Sequence, residues 1–286
     1  MVEGVRTVAL IGPGRAGTTI CLALAEQGWT VVAVAGRAPD AASTSAAAAC
    51  LAARPALVSD AARGATLVIV ATPDRAIEQA VLAAEPSIEP GALVMHLAGS
   101  RGVDVFDTLL EKRPGIRVGA LHPLQSFPSS TIGVERLRGA WAAVAGDPGV
   151  TEIANQLGLR TFELADAERV RYHTAAVVAS NHLVALLGQV DRLATSCGVP
   201  FEAFAQLVVS SVQNAFSLGP SEALTGPVQR GDLATVERHL RELDATERDA
   251  YRALAREAAR LTGRRDTGLD RLLDDLKSGN RPADTP

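Results

Sequence analysis

The sequence predicts a doubly wound, mainly parallel α/β domain followed by an all-helical one. Three observations carry this: a strand, glycine turn and helix over residues 7–27, alternating strand and helix signals to residue 164, and only helical patterns from residue 166. Thr7–Ile11 is an apolar run that enters Gly12-Pro13-Gly14-Arg15-Ala16-Gly17. A small-residue helix over 18–27 and a second strand at Thr30–Ala35 follow, then an alanine-rich helix over 39–53. Residues 67–71 (LVIVA) form a continuous apolar run suited to a parallel strand buried on both faces, and Thr72-Pro73-Asp74 stops it. A helix over 76–84, a strand over 92–97 and a helix over 103–112 come next, and strands over 117–121, 140–145 and 160–164 complete the sheet.

The helical part begins with a long helix over 167–196, stopped by Gly198 and Pro200. Its middle, 175–187, is apolar on nearly all sides, which predicts burial against a second copy and hence a homodimer. Helices over 201–218 and 233–243 follow. Asp244-Ala-Thr-Glu247 reads as a capping box for a fourth helix that runs to Leu261 with Gly263 as its C′ residue. A short helix over 269–277 and a disordered tail over 279–286 end the chain. The expected domains are 1–165 and 166–286.

The glycine turn has the spacing G-x-G-x-x-G in its full strand-turn-helix-strand setting. Gly12 permits the turn, Gly14 lets backbone N–H groups approach a pyrophosphate, and Gly17 lets the helix pack on the strand. A dinucleotide is the expected ligand of Gly12, Pro13, Gly14, Arg15, Ala16 and Gly17; a purely structural turn is the alternative. NAD-binding chains end the second strand in an acid that accepts the ribose 2′-hydroxyl, but here Gly36 and Arg37 stand there. A guanidinium pairs with a 2′-phosphate and stacks on adenine, so NADP(H) is the expected cofactor, against a merely solvated Arg37.

At 286 residues the chain has room for two cores, and 47% hydrophobic with 21% charged residues is an ordinary globular composition. A net charge of −4 and no basic run argue against nucleic acid as a partner. Cys21, Cys50 and Cys197 follow no metal spacing and read as small hydrophobes in a reducing compartment. Met1 to Arg6 lacks a basic leader and cleavage site, and 175–187 is too short to span a bilayer, so the expectation is a cytoplasmic protein without membrane contact. Of 28 basic residues only Lys112 and Lys277 are lysines, which makes a lysine proton donor improbable.

In an open α/β sheet, ligands lie beyond the carboxyl ends of the strands. Three such places stand out: Thr72-Pro73-Asp74, His96-Leu-Ala-Gly99-Ser100 and His122-Pro-Leu-Gln125-Ser-Phe127. Thr72, Pro73, Asp74 and Gly99 are expected toward the cofactor, although Asp74 also fits a helix cap. His96, Ser100 and Gln125 are expected toward the substrate and His122 toward the chemistry, the alternative for each histidine being a satisfied, partly buried imidazole. On a helical period His173, Val177, Ser180 and Asn181 share one side of the long helix, while His182 points elsewhere. Polar groups on a buried helix need a partner or a ligand, which makes His173 and Asn181 catalytic candidates and Ser180 a substrate contact; helix–helix hydrogen bonding is the alternative. In the loop 224–232, Thr225 and Arg230 are candidates for a substrate carboxylate, while Gly226-Pro227 also reads as a turn and Asp232 as an N-cap. His96, His122 and His173 lack metal-ligand spacing, so no metal is expected.

ATPD at 71–74, HLAGS at 96–100, HPLQSF at 122–127, YHTAAVVASNHLVAL at 172–186 and LTGPVQRGD at 224–232 resemble a Rossmann-like family whose helical domain is of unknown function, of the 2520 type. That family falls in the superfamily of 6-phosphogluconate dehydrogenase-like reductases, with β-hydroxyacid dehydrogenases, ketopantoate reductases, pyrroline-5-carboxylate reductases and prephenate dehydrogenases. The resemblance implies a Rossmann domain, a 6-phosphogluconate dehydrogenase C-terminal-like helical domain that dimerises, and reduction of a small 2-oxo acid, with ketopantoate the first analogy. A C=N reductase of the pyrroline-5-carboxylate or imine type, and an NADP(H)-binding protein without turnover, are the alternatives. Whether a deazaflavin replaces nicotinamide is open. In β-hydroxyacid dehydrogenases a lysine stands four residues before the helix asparagine; aligned on Asn181, Val177 takes its place, and His173, one turn earlier, is the expected proton donor. Relatives often flank the arginine with hydroxyl residues, whereas here it stands in Gly36-Arg37-Ala38.

Overall fold

The computed structural model describes residues 6–263 and 267–275; Lys277 and the 279–286 tail lie outside them. Eight strands form one sheet: β1 Thr7–Ile11, β2 Thr30–Ala35, β3 Arg54–Ala56, β4 Leu67–Val70, β5 Leu93–His96, β6 Arg117–Pro123, β7 Trp141–Gly146 and β8 Arg160–Glu163. Their order is β3-β2-β1-β4-β5-β6-β7-β8. Every neighbouring pair is parallel except β6 and β7, which run antiparallel. Winding outward in both directions from β1 and β4 opens a crevice beyond their carboxyl ends, where such sheets bind ligands.

The central strands are buried on both faces, and their side chains alternate between two cores. Val8 and Leu10 of β1 pack with Ile20 and Leu24 of helix α1 (Arg15–Glu26) and with Ile153 of α7 (Gly149–Gln156). Ala9 and Ile11 face the opposite core, with Ile77 and Val81 of α4 (Ile77–Ala84) and Leu109 of α5 (Asp107–Lys112). Between these lie α2 (Ala42–Cys50), α3 (Val58–Ala61) and α6 (Ser130–Leu137). The edge strand β3 and the helices α3, α6 and α7 were not expected from the sequence. Cys21 is buried in the first core as expected, but Cys50 and Cys197 are exposed, so small-hydrophobe packing describes only the first.

From Asp166 the chain is helical: α8 (Arg169–Val177), a π-helical turn at Val178–His182 and α9 (Leu183–Ser196) follow one another directly. Six more α-helices complete the described chain: α10 (Ala205–Leu218), α11 (Pro220–Ala223), α12 (Pro227–Arg230), α13 (Leu233–Glu242), α14 (Ala245–Leu261) and α15 (Thr267–Asp275). The chain divides into compact units at 1–182 and 183–286, so α8 and the π turn belong with the sheet. In the second unit Val236, Leu240, Ala255, Leu269 and Leu273 form a core. Asp232 caps α13 through Thr235 N–H. Asp244 caps α14 through the N–H groups of Thr246 and Glu247, while Glu247 turns to Arg192 instead of closing the box. Gly263 takes the positive φ of +64° expected of a C′ glycine. No helix of the described residues is long and apolar enough to cross a membrane.

Candidate functional site

The glycine turn leads from β1 into α1. Gly12 has φ +94°, and a Cβ there would stand 2.6 Å from the Ala71 carbonyl carbon, so only glycine lets the turn lie against the end of β4. A Cβ on Gly17 would meet Leu10 and Ala71 side chains at 2.7 Å, whereas Gly14 has open space. Gly14 is also the N-cap of α1, and no side chain caps that helix end. The turn therefore presents open backbone at a helix N-terminus, the geometry a pyrophosphate needs. Arg15 Nη1 donates to the Pro128 carbonyl at 3.4 Å.

At the end of β2, a Cβ on Gly36 would run into the Thr44 hydroxyl, so an acidic side chain has no room there. Thr44 Oγ1 is buried beside Gly36 without a hydrogen-bond partner, and Arg37 is exposed. Thr44 was out of reach in sequence, because it comes from α2, eight positions after Gly36. Thr72 Oγ1, after β4, is the second buried hydroxyl without a partner on this rim. Asp74 opens a short 3₁₀ turn and accepts a hydrogen bond from Ser100, tying the loop after β4 to the loop after β5.

His96 ends β5 fully buried. Ala98 N–H donates to its Nδ1 at 3.2 Å, so the ring proton sits on Nε2 and donates to the Gly102 carbonyl at 3.0 Å. Both nitrogens are occupied by backbone. This is the satisfied, buried imidazole that stood as the alternative to a substrate contact, and it ties His96 to the 98–102 loop. Burial, opposed by the Gly102 hydrogen bond, pulls its pKa down to about 4. That loop is held from the other side by Asp166, whose Oδ2 accepts from Val103 N–H at 3.1 Å.

His122, near the end of β6, and His173 of α8 meet over Gly99. Their rings stand 5.8 Å apart, edge to face. A Cβ on Gly99 would lie 2.6 Å from His173 Cδ2 and 2.8 Å from His122 Nε2, so glycine is what allows both imidazoles against the loop. His122 Nδ1 is 2.7 Å from the Tyr172 hydroxyl, and Tyr172 in turn packs edge-on against Phe162 of β8. Burial and the nearby His173 and Arg169 pull His122 down to about 4, and burial pushes Tyr172 up to about 12. Both are neutral at pH 7. Between pH 6.5 and about 4 the unfolded chain takes up protons at His96 and His122 that the folded chain refuses, so stability is full above pH 6.5 and falls as pH drops. For His96 alone the loss is about 3 kcal/mol, and acid unfolding of the wild type against His96→Gln, followed by circular dichroism, checks it.

A cavity of about 380 Å³ lies beside these rings, lined by His122, Pro123, Leu124, Gln125, Ser126, His173, Ala176, Val177, Ala179, Ser180 and Asn181. The π turn contributes the last three, and π-helical turns recur at functional sites because the extra residue re-aims the side chains around it. Ser180 Oγ donates to the Ala176 carbonyl and lies 2.9 Å from the side-chain amide of Asn181. Gln125 is held by the Arg136 carbonyl and Ser126 N–H. Val177 puts a methyl-bearing wall where a lysine would otherwise reach in. The cavity thus brings together His122, His173, Asn181, Ser180 and Gln125. Ser100 is engaged with Asp74, and Thr225 and Arg230 are exposed residues of the second unit, Arg230 closing α12.

Sequence reasoning passed over Tyr172 and Arg169. Tyr172 beside a histidine reads as packing, and Arg169 among Glu168 and Arg171 reads as a solvated face. The signal available was spacing: Arg169 stands four residues before His173, one turn along the same helix face. Among the described residues no group of three or more His, Cys, Asp or Glu is placed to hold a metal ion.

A Rossmann-like domain model matches residues 3–123, and the model of a domain of unknown function, DUF2520, matches residues 142–258. No curated protein matches the sequence. Among solved structures, a candidate NADP oxidoreductase of Bacteroides fragilis is 24% identical, with TM-score 0.76 over 89% of this chain and 98% of that one. A Thermotoga maritima protein is 23% identical, with TM-score 0.66 over 90% and 98%. The Aspergillus terreus reductive aminase, in complex with NADPH and ethyl-5-oxohexanoate, is 18% identical, with TM-score 0.63 over 96% and 100%. These likenesses establish the two-part fold.

Proposed function

We propose that this chain, which joins a Rossmann-like domain to a DUF2520 domain, is an NADP(H)-dependent reductase of a small 2-oxo acid that works as a cytoplasmic homodimer. The observation that carries the reading is the cavity in which His122, His173 and Asn181 converge at the carboxyl end of a sheet that also carries the glycine turn. The residues present fit the cofactor: Gly12 and Gly14 leave backbone open at the α1 N-terminus, Thr44 and Thr72 hold buried hydroxyls without partners, and the space at Gly36 excludes an acid. Gly12 through Gly17 would hold the pyrophosphate, Arg37 with Thr44 the 2′-phosphate, and the loop 72–74 with Gly99 the nicotinamide side. When bound, NADPH would supply a hydride to the substrate carbon.

The chain's own part is to hold the substrate and move a proton. His173 protonates the substrate oxygen, because its ring lines the cavity and His122, neutral at pH 7, has no proton to spare as an acid. Asn181, hydrogen-bonded to Ser180, lines the same wall. Gln125 and Ser180 complete the polar wall. Ketopantoate is the first acceptor to test. Reduction of a C=N bond is the second reading, favoured by Val177 in the cavity wall: a cationic iminium accepts hydride with no acid to assist it. NADPH oxidation across a panel of 2-oxo acids and cyclic imines separates these readings from each other, and from a binding protein that oxidises NADPH with none.

The second unit carries apolar side chains that a lone chain leaves in water, among them Val184, Leu207, Phe216 at 89% exposure and Leu218. Exposed apolar side chains of this size fit an interface with a second copy. Light scattering at micromolar concentration is expected to give the mass of two chains, and Phe216→Asp to shift it toward one; a monomeric wild type contradicts the dimer.

A further inference from the structure

Arg169 is an anomalous buried group. Its side chain is fully buried, the largest so enclosed among the described residues. Nε donates to Asp166 Oδ1 at 3.2 Å, but both terminal nitrogens are buried without any hydrogen-bond partner. Four N–H donors on a charged group are left without acceptors, in interiors where the large majority of buried polar atoms are paired. Asp166 is itself shared, its other oxygen being taken by Val103 N–H, and it is partly exposed, so it balances the buried charge incompletely. The cation lies close enough to His96, His122 and Tyr172 to act on the titration of all three. It stands one turn before His173, which lines the cavity.

We propose that Arg169 is the anion anchor of this site, its two terminal nitrogens forming a bidentate pair with the carboxylate of the substrate. The inference rests on the proposed reductase and names its substrate class: acids whose carboxylate adjoins the reducible C=O or C=N, and not neutral ketones or imines. A planar guanidinium matches a carboxylate through two parallel N–H···O bonds, which a single ammonium does not reproduce. Because the fork is closed to water, a carboxylate that reaches it is desolvated with it, and a neutral amide in its place leaves the charge uncompensated. Selectivity against the amide is therefore built into the burial.

The test is titration calorimetry with oxamate and with oxamide, on the protein with and without NADP⁺. The wild type is expected to favour oxamate over oxamide by about ten- to a hundredfold. Arg169→Met should erase that preference, and Arg169→Lys should keep only part of it. The lysine variant decides the matter if the methionine variant fails to fold. Formate and chloride serve as free-anion arms: either competing as well as oxamate makes this a general anion site and overturns the substrate anchor. No preference in the wild type, or an undiminished one in both variants, overturns it too. NADPH affinity, measured separately, is expected to change less than about twofold in Arg169→Lys, since the residue is not assigned to the cofactor. A wild type that binds no NADPH refutes the reductase, while the apo titrations still decide the anchor.

Discussion

His173→Asn is expected to lower kcat/KM for reduction by about 10²–10⁴-fold while leaving NADPH affinity unchanged, the range general acid catalysis contributes. The substitution keeps a polar, hydrogen-bonding side chain of smaller volume in the cavity wall, so the loss reads the proton and not a collapsed site. His122 cannot supply it, because its pKa is pulled down to about 4 by burial and by the nearby His173 and Arg169. Steady-state profiles of both proteins with the best acceptor check the assignment. A variant that keeps wild-type turnover moves the role to Tyr172, whose hydroxyl stays protonated through neutral pH.

Arg37→Ala is expected to weaken NADPH by about ten- to a hundredfold and to leave NADH nearly unchanged, the cost of one charge-assisted pair with phosphate, about 1.5–3 kcal/mol. Arg37 is exposed and no ion pair among the described residues holds it, so its removal disturbs nothing else in the fold. The neighbouring Thr44 sharpens the comparison: its hydroxyl occupies the space a side chain at Gly36 would need, which disfavours an acid there and with it NAD. Fluorescence titration with both cofactors is the measurement. Equal losses for NADPH and NADH would refute the 2′-phosphate assignment.

The parts of the fold most legible in sequence are those where one physical demand acts alone. β1 and β2 were expected at Thr7–Ile11 and Thr30–Ala35 and lie there, because a strand buried on both faces must be continuously apolar and the glycine turn marks its end. β3 escaped because an edge strand of three residues containing Pro55 has no such demand. α6 and α7 escaped because Gly133 and Gly149 read as breaks and each helix runs only eight residues. The π turn is invisible to a 3.6-residue period, although the polar run Ser180-Asn181-His182 marked the place. In the site, strand ends pointed to His122 and His96 alike. What separates them is the backbone of Ala98 and Gly102, which the fold brings onto both His96 nitrogens. Arg169 was hidden for the complementary reason: burial, not residue type, makes its charge informative.

The central claim is hydride transfer to a carboxylate-bearing substrate. It is tested most directly by reducing the best acceptor of the panel with NADPH deuterated at C4 of the nicotinamide and weighing the product. The account predicts a product carrying one deuterium on the former carbonyl or imine carbon, delivered from one face of the nicotinamide only. NADPH that binds but passes no label to any 2-oxo acid or cyclic imine contradicts it.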